Sequence, residues 1–181
     1  MKKLLVVFIL LHILTGCAAT HMIVADKKPD LSVKNNATLV IVRDQTLPVI
    51  VIWNYLDNKL IGETKGKMYF IARVRPGLHY VIAESENITV VQMNFEAGKV
   101  YYIHQDIWPG GWRANTGLSV LSQTEAVKAM KDCEYWEYNP KNPGKDIDPD
   151  KYSQGVKDYN IDVQKNPVAY KPFLQYPGYN P

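Results

Sequence analysis

Residues 67–77 have the sequence KMYFIARVRPG, and they set the pattern on which the fold depends. Every second side chain in this stretch is apolar, which is typical of a β-strand with one buried face and one wet face. Pro76-Gly77 then favours a turn, because Pro presets φ and Gly tolerates a positive φ. We therefore predict that the chain reverses there. The apolar faces of the two strands carry Met68, Phe70, Ala72 and Val74, then Leu78, Tyr80 and Ile82.

Around this stretch, residues 59–107 are predicted to form four consecutive strands joined by tight turns. The alternation continues over Thr89–Phe95, but Ile88 and Val90 fall on the opposite parity. A β-bulge near Val90 would reconcile the two phases. Glu96–Lys99 is predicted to be a hairpin loop, since β-branched and aromatic residues resume directly after it.

The turn and strand motifs of this region are Lys59 and Gly62, then Gly66–Phe70, Pro76–His79 and Glu96–Tyr102. Their order and spacing resemble the DUF2846 family of small bacterial envelope lipoproteins, a domain of unknown function. The resemblance covers roughly residues 37–130. It implies a compact β-sandwich and brings no catalytic residues with it.

The remaining strand signals complete the fold prediction. Thr38–Arg43 is almost continuously apolar, as expected for a strand covered on both faces. Val49–Trp53 predicts another strand and Gly117–Leu121 one more, while Ser122–Glu125 matches a capping box that begins a short helix. We predict a mainly β protein: an antiparallel β-sandwich of about seven strands over residues 37–138, immunoglobulin-like in general architecture, with that one helix.

The amino-terminal residues 1–16 are predicted to be a secretion signal. A basic start is followed by an apolar run over Leu4–Leu14, about half the roughly 20 residues that cross a bilayer. Leu14-Thr15-Gly16-Cys17 resembles the bacterial lipobox, in which the cysteine is acylated and becomes the first mature residue. Cys17 is therefore the predicted lipidation site.

Acyl chains on Cys17 would hold the protein firmly at a membrane, because stable anchoring takes more than one chain. The residue after Cys17 is Ala18, and an aspartate at that position would resemble a signal for retention in the inner membrane. We therefore expect the protein to be anchored in the periplasmic leaflet of the outer membrane. Residues 17–36 are polar and weakly periodic, and we predict that they form a tether.

Charge and cysteine content narrow the classes of function. The net charge of the chain is only +3 and the basic residues are not clustered, so we expect no nucleic-acid partner. Cys133 is the second of two cysteines, and acylation of Cys17 would leave it without an internal disulfide partner. It is then either a buried thiol or the site of a bridge between chains.

A tryptophan-rich loop is the candidate binding site. Trp108 and Trp112 flank a Pro-Gly-Gly turn, and Arg113 follows them. Their indoles either project together and stack on a sugar, a peptide or lipid headgroups, or fold back over one end of the sandwich. Arg113 either pairs with an anion or is solvated.

Residues 139–181 are predicted to be an extended, partly disordered tail. Seven of the eleven prolines lie at or after Pro140, and proline removes backbone donors. The interspersed tyrosines suggest, alternatively, an arm that lies on a partner surface.

No motif predicts a metal site or a cofactor. Asp146–Asp150 begins like an EF-hand loop, but Lys151 and Lys157 stand where the glycine and the bidentate glutamate belong. His104 and Asp106 share a strand face without a third catalytic partner. The sequence therefore favours a non-enzymatic envelope lipoprotein, partnered by the membrane and by an envelope protein or peptidoglycan. A carbohydrate-binding module at the tryptophan loop is the alternative.

Overall fold

The computed structural model describes residues 21–27, 29–46, 50–112 and 114–181. The predicted signal peptide, Cys17 and Arg113 lie outside these ranges. Ten strands are found within them: β1 (Met22–Val24), β2 (Ala37–Arg43), β3 (Ile52–Leu56), β4 (Lys59–Thr64), β5 (Met68–Val74), β6 (Gly77–Glu84), β7 (Ile88–Phe95), β8 (Val100–Pro109), β9 (Ala114–Val120) and β10 (Glu134–Tyr138). Three helices accompany them: α1 (Gln123–Met130), α2 (Pro149–Lys165) and α3 (Pro167–Leu174).

The strands form two sheets, so the protein is mainly β, as predicted. The six-stranded sheet has the order β1-β10-β5-β2-β8-β9, and the four-stranded sheet has the order β4-β3-β6-β7. Two neighbouring pairs, β2 with β8 and β5 with β10, are parallel. The prediction of about seven antiparallel strands is therefore wrong in number and in pairing. Parallel neighbouring strands are joined by long crossover connections, so no local turn motif in the sequence predicts their pairing.

The two sheets share one apolar core. The alternation in β5 is confirmed, since Met68, Phe70 and Val74 are at most 2% exposed. Side chains from β2, β5 and β8 meet side chains from β6 and β7 there, and apolar burial of this kind contributes roughly 25 cal/mol per Å². The core includes Leu39, Ile41, Phe70, Val81, Val91, Met93, Phe95, Tyr101 and Ile103.

Pro76-Gly77 carries the chain from one sheet to the other instead of closing a hairpin. Gly77 has a φ of 129°, and β6 pairs with β3 and β7 while β5 pairs with β2 and β10. The predicted apolar face of β6 also needs correction, because Leu78 is 57% exposed. Tyr80 and Ile82 share its parity and are covered by the C-terminal segment, which does not extend over Leu78.

Strand β7 is buried on both faces and has no bulge at Val90, contrary to our prediction. Its register with β6 runs without a break from Phe95 to Ile88. Val91 faces the core between the sheets, whereas Val90 belongs to a second apolar cluster that includes residues of α2. The two parities thus mark two covered faces. The irregularity in the four-stranded sheet lies instead between Asn54 and Tyr55.

Three described residues of the predicted tether form a strand. β1 pairs with β10, Met22 is 1% exposed, and the Ala25 N–H donates to the Tyr135 carbonyl at 3.1 Å. The tether prediction is therefore wrong for residues 22–24. A strand of three residues is too short to show a period in the sequence, yet one buried methionine and a neighbouring strand are enough to hold it.

The proline- and tyrosine-rich tail is also ordered, which corrects the prediction of an extended arm. Pro149 and Pro167 open α2 and α3, at the helix position where a missing N–H costs nothing. Asp148 caps α2 by accepting from the N–H groups of Asp150 and Lys151 at 3.0 and 3.1 Å. Tyr176 packs into the main core. Two of the tail prolines therefore start helices instead of preventing them.

The predicted capping box is confirmed at the start of α1. The Ser122 hydroxyl accepts from the Glu125 N–H at 3.3 Å, and the Ser122 N–H donates to the Glu125 carboxylate at 2.8 Å. Ala126 is fully buried in a cluster with Val40 and Val42 of β2. Strand β2 is thereby covered on both faces, as its apolar run predicted.

Candidate functional site

Trp108 lies near the end of β8 and leans over the neighbouring strand β9. A Cβ at Gly117 would come within 3.0 Å of the indole Cζ3 atom and 3.1 Å of Cη2. The absence of a side chain at Gly117 therefore makes room for the ring. Trp108 is 45% exposed, so part of the indole remains available to a ligand.

The exposed side of Trp108 borders a groove of about 680 Å³ between the sheets and the C-terminal helices, which we name the Trp108 groove. Its volume lies in the range of small-molecule sites. One wall comes from β7 and β9 and the other from α2 and α3. The aromatic side chains that line it are Trp108, Tyr159, Tyr170 and Phe173, and the polar ones include Thr89, Lys151, Gln154, Asp158 and Asp162.

Close packing fixes α2 against the four-stranded sheet. A Cβ at Gly155 would lie 3.2 Å from Val90 Cγ2 and 3.3 Å from Ile88 Cγ2, so the glycine allows the helix to approach β7 closely. Tyr159 is 5% exposed, and its ring makes edge contacts with Tyr80 and Tyr170 at centroid distances of 5.8 and 5.1 Å. Such pairs add about 0.5–1.5 kcal/mol beyond burial. The helical wall of the groove is thus well anchored.

The polar groups of the Trp108 groove are mainly acidic and amide. The Gln154 side-chain amide donates to Asp158 at 2.8 Å, and Asp162 lies one turn further along α2. Lys151 is held at the other end by an ion pair with Glu84 at 2.5 Å. An aromatic platform beside carboxylate and amide groups can stack on the apolar face of a ring while accepting hydrogen bonds from its hydroxyls.

Trp112 occupies a different environment. Its side chain is 96% exposed, while its N–H and that of Gly111 donate to the Glu86 carboxylate at 3.1 and 3.0 Å. Those two bonds hold the loop backbone and leave the indole in solvent. Of the predicted site residues, the structure thus places Trp108 in a groove and Trp112 on the surface. Arg113 and Cys17 lie outside the described residues.

A second cleft of about 490 Å³ lies on the other side of the α2 N-terminus and shares Lys151 with the Trp108 groove. Trp53 lines it together with Tyr55, Glu84 and Asp146. The Tyr55 hydroxyl donates to Glu84 at 3.0 Å, and burial raises the pKa of Tyr55 far above its ordinary value. Sequence reasoning placed Trp53 in a strand but missed this cleft, because its other wall comes from the segment before α2.

His104 is held between two carboxylates. Its Nδ1 lies 2.8 Å from Asp106 and its Nε2 lies 2.9 Å from Asp44, while Ser119 donates to Asp106 at 3.0 Å. The hydrogen bond with Asp106, opposed by burial and aided by Asp44, raises the pKa of His104 to about 9. The His104 hydrogen bond in turn lowers the pKa of Asp106. The pair predicted from the sequence is therefore an ion pair at neutral pH.

Three further observations concern the described residues. No group of three or more histidine, cysteine, aspartate or glutamate side chains among them is arranged to hold a metal ion. The EF-like carboxylates are used structurally: Asp146 pairs with Lys59 at 2.5 Å, and Asp148 caps α2. None of the helices in the described ranges is long and apolar enough to cross a bilayer.

The architecture is thus that of a mainly β domain of two sheets, extended by C-terminal helices that complete a groove. Residues 33–117 match the model of DUF2846, a protein family of unknown function. This match confirms, over those residues, the resemblance seen in the sequence. The match contains the whole four-stranded sheet and ends before α1, α2 and α3.

A relative is found in Haemophilus influenzae, where an uncharacterized protein is 30% identical over 99 residues. The aligned part is 54% of this chain and 59% of that protein, so the match spans less than two thirds of the relative's length. No solved structure matches the chain significantly.

Proposed function

We propose that this protein is a non-enzymatic interaction module of the bacterial cell envelope, anchored to the periplasmic leaflet of the outer membrane through acyl chains on Cys17. The lipobox after a short basic and apolar leader supports the anchor. The two sheets, taken as a β-sandwich scaffold, and the Trp108 groove support the interaction role. The groove carries the proposal, because it is large enough for a ligand and is lined by both stacking and hydrogen-bonding groups.

The state of His104 supports a role without catalysis. A general base must be unprotonated at the working pH, whereas the pKa of about 9 keeps His104 charged at neutrality. Both of its ring nitrogens already face carboxylates. The most suggestive catalytic pair in the sequence thus acts as a link between β8 and the segment after β2.

Replacing Cys17 with Ser tests the anchor. We expect Cys17→Ser to move the protein from the membrane fraction to the soluble fraction of fractionated cells, because the thiol that carries the acyl chains is gone. Cys133→Ser is the matched control, since it removes the other cysteine and should leave the protein on the membrane. Full retention of Cys17→Ser on membranes would contradict the anchor.

A second candidate function is carbohydrate binding, with peptidoglycan fragments as the ligand. The observation that favours it is the position of Trp108 beside Asp158, Asp162 and Gln154 in one groove. A sugar ring offers an apolar face to the indole and hydroxyl donors to the carboxylates. The Trp108 groove therefore replaces the pair of projecting indoles as the site of this hypothesis.

Titration with muropeptides and neutral glycans tests this candidate. We expect quenching of tryptophan fluorescence and a calorimetric binding signal in the original chain, and loss of both in Trp108→Ala. Calorimetry is needed because that substitution also removes the reporter. Trp112→Ala is the matched control and should bind normally, since its indole points into solvent. Absence of a calorimetric signal across the panel would count against glycan binding.

A further inference from the structure

A second groove, which we name the α1 groove, lies between α1 and the segment that precedes β2. Its volume is about 700 Å³, similar to that of the Trp108 groove, but its lining is mostly apolar. Val127 on α1 is 59% exposed although it faces this groove, so an apolar surface is left open there. The apolar lining consists of Pro29, Leu31, Tyr69, Val127, Met130 and Cys133.

Hydrogen bonds hold both walls of the α1 groove in place. The Thr38 hydroxyl donates to the Leu31 carbonyl at 3.0 Å. The Arg73 guanidinium donates both to that hydroxyl and to the Asp30 carbonyl, which fixes the segment before β2 against the six-stranded sheet. The capping box fixes the start of α1 on the opposite side. The groove is therefore formed before any ligand arrives, which favours binding.

The charged groups of the α1 groove have one sign. Lys128 and Lys131 of the α1 region line it, and no carboxylate is among its lining residues. Within the described part of the chain, neither ammonium group lies within 4.0 Å of a carboxylate. An apolar trough beside two lysine ammonium groups is complementary to an amphiphile with one apolar chain and an anionic head.

We propose that the α1 groove binds a long-chain fatty acid, with its acyl chain against Val127, Met130 and Tyr69 and its carboxylate near Lys128 and Lys131. The concave shape and the volume fit a single chain, whereas a bilayer surface would need a protruding apolar face. This site is separate from the Trp108 groove and does not depend on the function proposed above.

Calorimetric titration with oleate tests the proposal. The full chain carrying Cys17→Ser is suitable, because Cys133 is then its single thiol. We expect one oleate per chain, and Val127→Asp should weaken binding by at least about tenfold because it places a carboxylate in the apolar wall. Val168→Asp is the matched control: Val168 is a 75% exposed helical valine outside the groove, and its replacement should leave binding unchanged.

Two further measurements locate the ligand. Lys128→Gln with Lys131→Gln should weaken oleate binding but leave binding of its uncharged methyl ester unchanged, because only oleate uses the two cations. Burial raises the pKa of the Cys133 thiol to about 11, and oleate should further slow its labelling by a maleimide by covering the groove.

Three results would overturn the proposal. The first is the absence of oleate binding up to its solubility limit. The second is equal weakening by Val127→Asp and Val168→Asp, which would indicate nonspecific adsorption. The third is a concentration-dependent dimer that Val127→Asp dissociates and oleate does not affect, since a second copy of the chain would then be the occupant of the groove.

Discussion

The indole of Trp108 lies against Gly117 of the adjacent strand, where a Cβ would approach the ring to 3.0 Å. This contact sets the direction of the indole and thereby the position of one wall of the Trp108 groove. The glycine is not needed for backbone conformation, since its φ lies outside the left-handed region. Its role is to leave space for the ring.

Gly117→Val should displace the Trp108 ring. We expect a change in tryptophan emission and, if glycans bind in the groove, at least about tenfold weaker binding by calorimetry. The free energy of unfolding should fall by only about 1 kcal/mol, because the clash is with a partly exposed side chain that can move. Unchanged emission and unchanged ligand binding together would show that the contact does not position the indole.

The environment of His104 predicts a stability that declines at alkaline pH. Its pKa is raised from an ordinary value of 6.5 to about 9. The contribution of His104 to the free energy of unfolding is therefore full below pH 6.5 and is lost as the pH rises through about 9. One unit of pKa is worth about 1.4 kcal/mol, and partial exposure screens part of it, so we expect a loss on the order of 1–2 kcal/mol. Urea unfolding across this pH range measures it.

The matched variant for this prediction is His104→Gln. It should abolish the decline in the free energy of unfolding at alkaline pH that is due to His104, while the other titratable groups keep their contributions. Asp44→Asn should reduce the decline only in part, because Asp106 is the larger cause of the raised pKa of His104. A wild-type curve that is flat between the two pKa values would contradict the assigned ion pairs.

Local signals predicted the parts of the fold that depend on neighbouring residues. The alternation of β5 and the Ser122 capping box belong to this group, because each is contained within a few positions. The parallel pairing of β5 with β10 could not be predicted, since it joins residues far apart in sequence. The opposite parity of Ile88 and Val90 was interpreted as a bulge. It instead indicates that the second face of β7 is also covered.

Removal of the C-terminal segment should expose that second face. In a chain ending at Tyr138, the cluster formed by Tyr55, Ile82 and Val90 loses its partners from α2 and α3. We expect increased binding of the dye ANS, a lower melting temperature and loss of the Trp108 groove. Unchanged melting and dye binding would mean that the helices do not contribute to the folded domain.

A milder test of the tail is Tyr176→Phe. The Tyr176 hydroxyl donates to the Leu121 carbonyl at 2.5 Å and accepts from the Tyr102 N–H at 3.2 Å. Its loss should lower the free energy of unfolding by about 1–3 kcal/mol, because one buried and one partly buried backbone group lose a partner. Trp112→Ala, which removes a 96% exposed side chain, should leave the free energy nearly unchanged. Equal effects of the two substitutions would argue against docking of the tail.

The candidate site could be predicted only in part, because it too is formed by residues that lie far apart in sequence. Trp108 stood out because tryptophan is unusual beside a Pro-Gly-Gly turn, but Gln154, Asp158 and Asp162 gave no signal of their own. Their place in the groove depends on α2, which the sequence analysis missed because a proline, Pro149, occupies its first position. The Asp-Pro sequence at positions 148–149, an N-cap followed by proline, was the signal that could have revealed it.

The central claim is that acyl chains on Cys17 hold this module at the bacterial envelope, and the mass of the mature amino-terminal peptide tests it most directly. Mass spectrometry of protein purified from membranes should show a peptide that begins at Cys17 and carries the mass of a diacylglyceryl group on its sulfur. A mature chain that begins elsewhere, or that begins at Cys17 with an unmodified thiol, would contradict the account.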